Sequence, residues 1–157
     1  ATGYDPDNVE PLQVVRYEEG QTYHAHFDFG TACDFVENLR IGRRHVTMLI
    51  YLNDLEAGAD PLAQGTEGAA RRVARARAER EAEGLEEPEV GGGTSFPELN
   101  LTVTPRKGTA LVFNDCRDDG SADTRTLHSG DPVAAPGVVK YAVNVWIRAH
   151  AFRESEG

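Results

Sequence analysis

Cysteine is scarce in this chain of 157 residues: Cys33 and Cys116 are the only two, far apart and in no CxxC spacing. That count indicates neither a zinc cluster nor a disulfide scaffold, and it leaves the redox compartment open. Long apolar runs are missing as well. The longest, Met48 to Leu52 (MLIYL), falls far below the roughly 18 residues that a spanning helix needs. The opening ATGYDPDN has no charged-then-apolar leader. The expectation is therefore a soluble chain without a membrane or targeting segment, its compartment open between cytoplasm and a secretory lumen. Positive charge is in deficit too. A formal charge of −10 repels phosphate backbones and argues against sequence-general binding of nucleic acid. The one local basic patch, five arginines between residues 71 and 80, shares its segment with seven glutamates.

What is present reads as one core. At 39% hydrophobic residues, the length suits a single domain, 1–157. Leu12 to Tyr17 and Tyr23 to Phe29 are β-rich runs separated by EEGQT, and they read as a hairpin. His45 to Leu52 is almost continuously apolar, the mark of a strand covered on both faces. Leu99 to Val103, Thr109 to Phe113 and Tyr141 to Arg148 add three more strands, the first two divided by PRKG. So many short strands predict a mainly β sandwich or jelly roll. The exception is 65–90, rich in Ala, Arg and Glu, with Arg75/Glu79 and Arg77/Glu81 one turn apart. Val73 is its only large apolar residue before Leu85, so the segment reads as a charged helical insertion in solvent, with a lid or partner-binding element as the alternative.

In YHAHFDF, residues 23–29, His24, His26 and Asp28 recur at every second position and share a face if the segment is a strand. Any adjacent pair could chelate, given a third ligand from elsewhere. His45 opens a buried-looking strand and His150 sits near the chain end, which leaves His128, in TLHSGDPV, as the best partner. Two histidines and an aspartate would form the facial triad that suits Fe(II); His-x-His with a third His would suit zinc or copper instead. Spacing alone does not choose between them.

Four pieces occur in one order: VVRYEEGQTYHAHFDF (14–29), RRHVTMLIYLNDLEAG (43–58), GGGTSFPELNLTVTPRKGTALVF (91–113), and TLHSGDPV followed by GVVKYAVNVWIR (126–148). Together they resemble the prolyl 4-hydroxylase branch of the 2-oxoglutarate and Fe(II)-dependent dioxygenases. The resemblance implies a double-stranded β-helix with few N-terminal helices, and iron held by His26, Asp28 and His128. It further implies that Lys140 binds the far carboxylate of 2-oxoglutarate, shared by Tyr51, with Tyr17 near the iron end. Asn144 and Trp146 lie on the Lys140 face by strand parity, and Arg148 just beyond is a further pocket candidate. The implied activity is hydroxylation of a proline in a peptide or protein with O₂, giving succinate and CO₂, with ascorbate as reductant. Three departures stand out: an additional AAP between His128 and Lys140, the insertion, and only about a dozen residues before the first matching strand, as in a minimal or excised core. Competing readings are a cupin-type site on His24 and His26, a nucleic-acid demethylase of the same superfamily, and a non-catalytic interaction module.

Overall fold

The computed structural model describes residues 3–30, 42–55, 90–135 and 137–151, with isolated positions at 75, 78, 82 and 83. The charged helix expected at 65–90 falls almost wholly outside these residues, as does Cys33. Eight strands are described: β1 (Gln13–Tyr17), β2 (Tyr23–His26), β3 (Arg44–Tyr51), β4 (Thr94–Phe96), β5 (Leu101–Val103), β6 (Ala110–Asn114), β7 (His128–Gly130) and β8 (Lys140–Arg148). They form two four-stranded antiparallel sheets, a major one in the order β1-β8-β3-β6 and a minor one in the order β2-β7-β4-β5, the two layers of a jelly roll. No helix among the described residues is long and apolar enough to cross a membrane.

The predicted hairpin of the first two runs does not form. EEGQT does turn, with Gly20 at φ 76° and Gln21 N donating to Glu18 O, but the turn carries the chain from one sheet to the other. β1 pairs with β8, β2 pairs with β7, and Gly20 N donates to Val133 O. PRKG likewise links β5 in the minor sheet to β6 in the major one. A turn signal fixes reversal of the chain locally; the partner strand is chosen by burial far away in sequence.

β3 is central, flanked by β8 and β6, which accounts for its nearly unbroken apolar run. Its inner positions Thr47 and Leu49 line a cavity between the sheets, and the Tyr51 hydroxyl donates to Thr94 of the minor sheet at 2.9 Å. Its outer positions Met48 and Ile50 are only half-buried, beside an exposed Val112, so among the described residues the expected cover on the outer face is incomplete. The described residues of the loop between β7 and β8 pack inward. Val133, Ala135 and Val138 form a buried cluster against Tyr17, Leu55 and Val90, and this packing sets the mouth of β8, where Lys140 begins.

Candidate active site

β2 ends at His26 and β7 begins at His128, and the antiparallel register sets these two residues directly opposite each other. Their ring centroids lie 4.3 Å apart. Each ring is fixed by the same local device. His26 Nδ1 lies 2.8 Å from the carbonyl of His24, and His128 Nδ1 lies 2.8 Å from the carbonyl of Thr126. A carbonyl only accepts, so Nδ1 carries the proton in the neutral ring and Nε2 presents its lone pair. The lone pairs converge on Asp28, with His26 Nε2 at 3.4 Å from Oδ1 and His128 Nε2 at 3.7 Å from Oδ2. Two imidazole nitrogens and a carboxylate with nothing positive between them repel, and all three ligand atoms lie within 4.8 Å of one another. The donor set therefore fits a divalent first-row metal held from one face.

The surroundings favour the ligating forms of Asp28 and His128, whereas His26, facing the carboxylate with no cation between them, is drawn toward protonation. Burial pushes the Asp28 carboxyl up, but hydrogen bonds and charge from His26, His128, Trp146 and Thr47 outweigh it and hold it at about 2. Burial pulls His26 down, yet its bonds to Asp28 and to the His24 backbone leave it above its ordinary value. At His128 burial wins over the pull of Asp28, and the imidazole is lowered. Phe96 stacks on His128 at 5.6 Å and Phe113 meets it edge-on at 5.0 Å, an apolar screen on the ring's far sides.

The other end of the cavity is built on Lys140. Its side chain is buried, and Nζ donates to the carbonyl of Gly92 at 2.7 Å. Among the described residues no carboxylate lies within ion-pair distance of Nζ. Burial lowers its pKa to about 8, with the charge of Asp131 opposing. A buried ammonium without a counter-ion is a site for an anion. The rings of Tyr17 and Tyr51 each stand with centroids 5.7 Å from Nζ. Gly92 itself sits at φ 70°, and a Cβ there would lie 2.7 Å from Leu55 Cδ1, so the position suits glycine. Both ends open into one cavity of about 500 Å³.

Of the residues singled out by sequence, His26, Asp28, His128, Lys140, Tyr17, Asn144 and Trp146 all line this cavity. Tyr51 lies behind the wall at 1% exposure, tied to Thr94. Tyr17, expected near the metal end, stands against Lys140 instead, because β1 pairs in register with β8 and sets Tyr17 opposite Lys140. His24 is exposed and contributes its backbone carbonyl, while Asn144 donates to Gln13 at 2.9 Å. Arg148 is a correction: it does not line the cavity but is buried, donating to Glu10 at 2.6 Å and to the carbonyl of Gly42 at 2.7 Å.

Sequence reasoning missed Arg44, whose guanidinium lies 3.6 Å over the Trp146 ring and bonds both Glu10 oxygens. It also missed Thr47, Thr94 and Asp115. The one signal for Thr47 is a hydroxyl inside an otherwise apolar strand.

The family model described as the 2OG-Fe(II) oxygenase superfamily matches residues 12–148. The chain is 33% identical over 146 residues to probable prolyl 4-hydroxylase 4 of Arabidopsis thaliana, covering 93% of this chain and 44% of that protein. It is 31% identical over 156 residues to prolyl 4-hydroxylase subunit alpha-1 of Gallus gallus, covering 97% of this chain and 23% of that one. The chain thus spans less than half the length of these curated relatives. Among solved structures, the viral collagen prolyl hydroxylase of Paramecium Bursaria Chlorella virus-1, in complex with 2OG, superposes with a TM-score of 0.58 at 29% identity, covering 90% of this chain and 60% of that one.

Proposed function

The chain belongs to the 2OG-Fe(II) oxygenase superfamily, and from that membership we propose that it hydroxylates prolyl residues of a peptide or protein, consuming 2-oxoglutarate and O₂ and releasing succinate and CO₂. The observation that carries the reading is the pairing of two unlike sites in one cavity: three convergent ligand atoms at one end and, at the other, a buried ammonium with no carboxylate partner among the described residues. His26 Nε2, Asp28 and His128 Nε2 would hold Fe(II). The iron supplies the binding and activation of O₂ and of the keto acid. Lys140 neutralises the far carboxylate of 2-oxoglutarate, while the Tyr17 ring walls the same end and the Tyr51 ring backs it. Phe96 and Phe113 keep water from the buried side of His128. Ascorbate is the expected external reductant that keeps the metal ferrous.

A prolyl substrate is supported by the names of the relatives, which are prolyl 4-hydroxylases and a collagen prolyl hydroxylase. The chain's formal charge of −10 favours neutral or basic peptides over acidic ones. A succinate-release assay over proline-containing peptides, with mass analysis of the peptide, tests the reading. Release should rise with peptide, the proline should gain one oxygen atom, and His26→Ala should do neither. Release indifferent to every peptide, or unchanged in His26→Ala, would overturn it.

A further inference from the structure

Behind the metal-facing carboxylate lies a second acid that the reaction as outlined does not use. The Thr47 hydroxyl lies 2.8 Å from Asp28 Oδ2 and 2.9 Å from Asp115 Oδ2, and all three residues are buried. A hydroxyl has one proton, so Thr47 cannot donate to both acids. Asp115 is 0% exposed, and its Oδ1 has no hydrogen-bond partner among the described residues. No basic group lies within ion-pair distance of it among the described residues. Its backbone is anchored on both sides, with its N–H donating to His45 O at 2.8 Å and its carbonyl accepting from Asp123 N at 2.9 Å, so the side chain is held against Thr47. An ionised carboxylate with a bare buried oxygen costs several kcal/mol, of the order of an uncompensated buried ion, whereas a neutral carboxyl costs less.

We propose that Asp115 is a positioning residue for Asp28: as a neutral acid it donates to the Thr47 oxygen, which frees the Thr47 proton for Asp28 Oδ2. The Trp146 indole N–H also donates to that same oxygen at 3.0 Å, so Oδ2 is occupied by two donors. Oδ1, facing His26 Nε2, is then the oxygen left to a metal. The relay makes Asp28 a one-oxygen ligand of fixed direction. The groups whose charges act on Asp115 are Asp28, Arg44 and His26, and burial together with the charge of Asp28 raises its pKa to about 7, in the same direction as the bond count.

The inference rests on the reading of His26, Asp28 and His128 as the metal-holding set, and anaerobic Co(II) titration of the metal-free chain separates the two. Thr47→Val and Asp115→Ala should each weaken Co(II) binding about 10-fold or more, the range seen when a ligand loses its orienting partner. Asp115→Asn, which still offers a donor to Thr47, should retain most of the affinity. The double variant Thr47→Val/Asp115→Ala should be no worse than Thr47→Val, since Asp115 acts through that hydroxyl. Thermal unfolding of each metal-free variant identifies any loss that is merely structural. Affinities within about twofold of the parent in both single variants, an Asp115→Asn as weak as Asp115→Ala, or fully additive losses would each overturn the relay. A parent chain that binds no Co(II) would instead overturn the metal centre itself, and the relay with it.

Discussion

The metal-facing end of the cavity stands on strands of three and four residues, whereas the Lys140 end begins a strand of nine that runs through the middle of the major sheet. The short strands cannot orient side chains by packing alone. That end compensates with bonds: each imidazole to a carbonyl two residues back, and Asp28 to Thr47 and Trp146 reaching across from the other sheet. The Lys140 end needs fewer bonds, because depth in the sheet fixes its position and leaves the ammonium with a backbone carbonyl in place of a counter-ion. One end is a prearranged negative set awaiting a cation; the other is a prearranged cation awaiting an anion. Two sites built so differently should fail separately.

The largest effect is expected from His26→Ala or His128→Ala. Loss of a ligand should reduce turnover to background and weaken Co(II) binding by more than the ~100-fold typical of a lost orienting partner. If either variant kept full metal affinity, the two ends would not differ in the way described. Next comes Lys140→Ala, which removes a charge-assisted bond to the dicarboxylate. The concentration of 2-oxoglutarate needed for half-maximal rate should rise by about 10- to 100-fold, with Co(II) affinity unchanged within experimental scatter. A parallel loss at the metal end would merge the two sites into one.

A pH series sharpens the contrast further. Protons compete with a metal for imidazole nitrogens, so Co(II) affinity should rise with pH. Lys140 must be charged to hold a carboxylate, so 2-oxoglutarate affinity should fall as pH passes about 8. Stability of the metal-free chain has its own sign. With the folded-state pKa at about 8, below the ordinary 10.5, the folded chain binds fewer protons between those values, and stability should rise with pH across that window. The gain is bounded by roughly 3 kcal/mol, and chemical denaturation of Lys140→Met should lack it. The smallest effect is expected from Trp146→Phe. It removes one of the two donors to Asp28 Oδ2 and should weaken metal binding less than Thr47→Val does, since the relay remains.

Much of this arrangement can be read from the chain itself. Strand parity along β8 places Lys140, Asn144 and Trp146 on one wall because an alternation of period two survives folding unchanged. The choice of His128 required a partner for HxD, and the ordered motifs supplied it. The hairpin failed because turn chemistry is local while strand pairing is not. Tyr17 was assigned to the wrong end for the same reason, since its neighbour Lys140 comes from a strand pairing and not from nearby sequence. Arg148 departs from the wall although its parity is right, because Glu10, the carboxylate it shares with Arg44, engages its guanidinium. Thr47 and Asp115 were invisible: their bonds join positions 19 and 68 residues apart, and nothing in a lone threonine or aspartate announces a shared hydroxyl.

The facing positions of His26 and His128 carry one more consequence. They join strands of four and three residues and stand 102 positions apart in the chain. An ion gripping both rings is therefore also a cross-link. It ties the two ends of a long loop together in the folded state and penalises any slip of β2 against β7, because a shift by one residue would turn one ring away. The register of the minor sheet and the occupancy of the metal centre should accordingly be lost and regained together, as a single cooperative event.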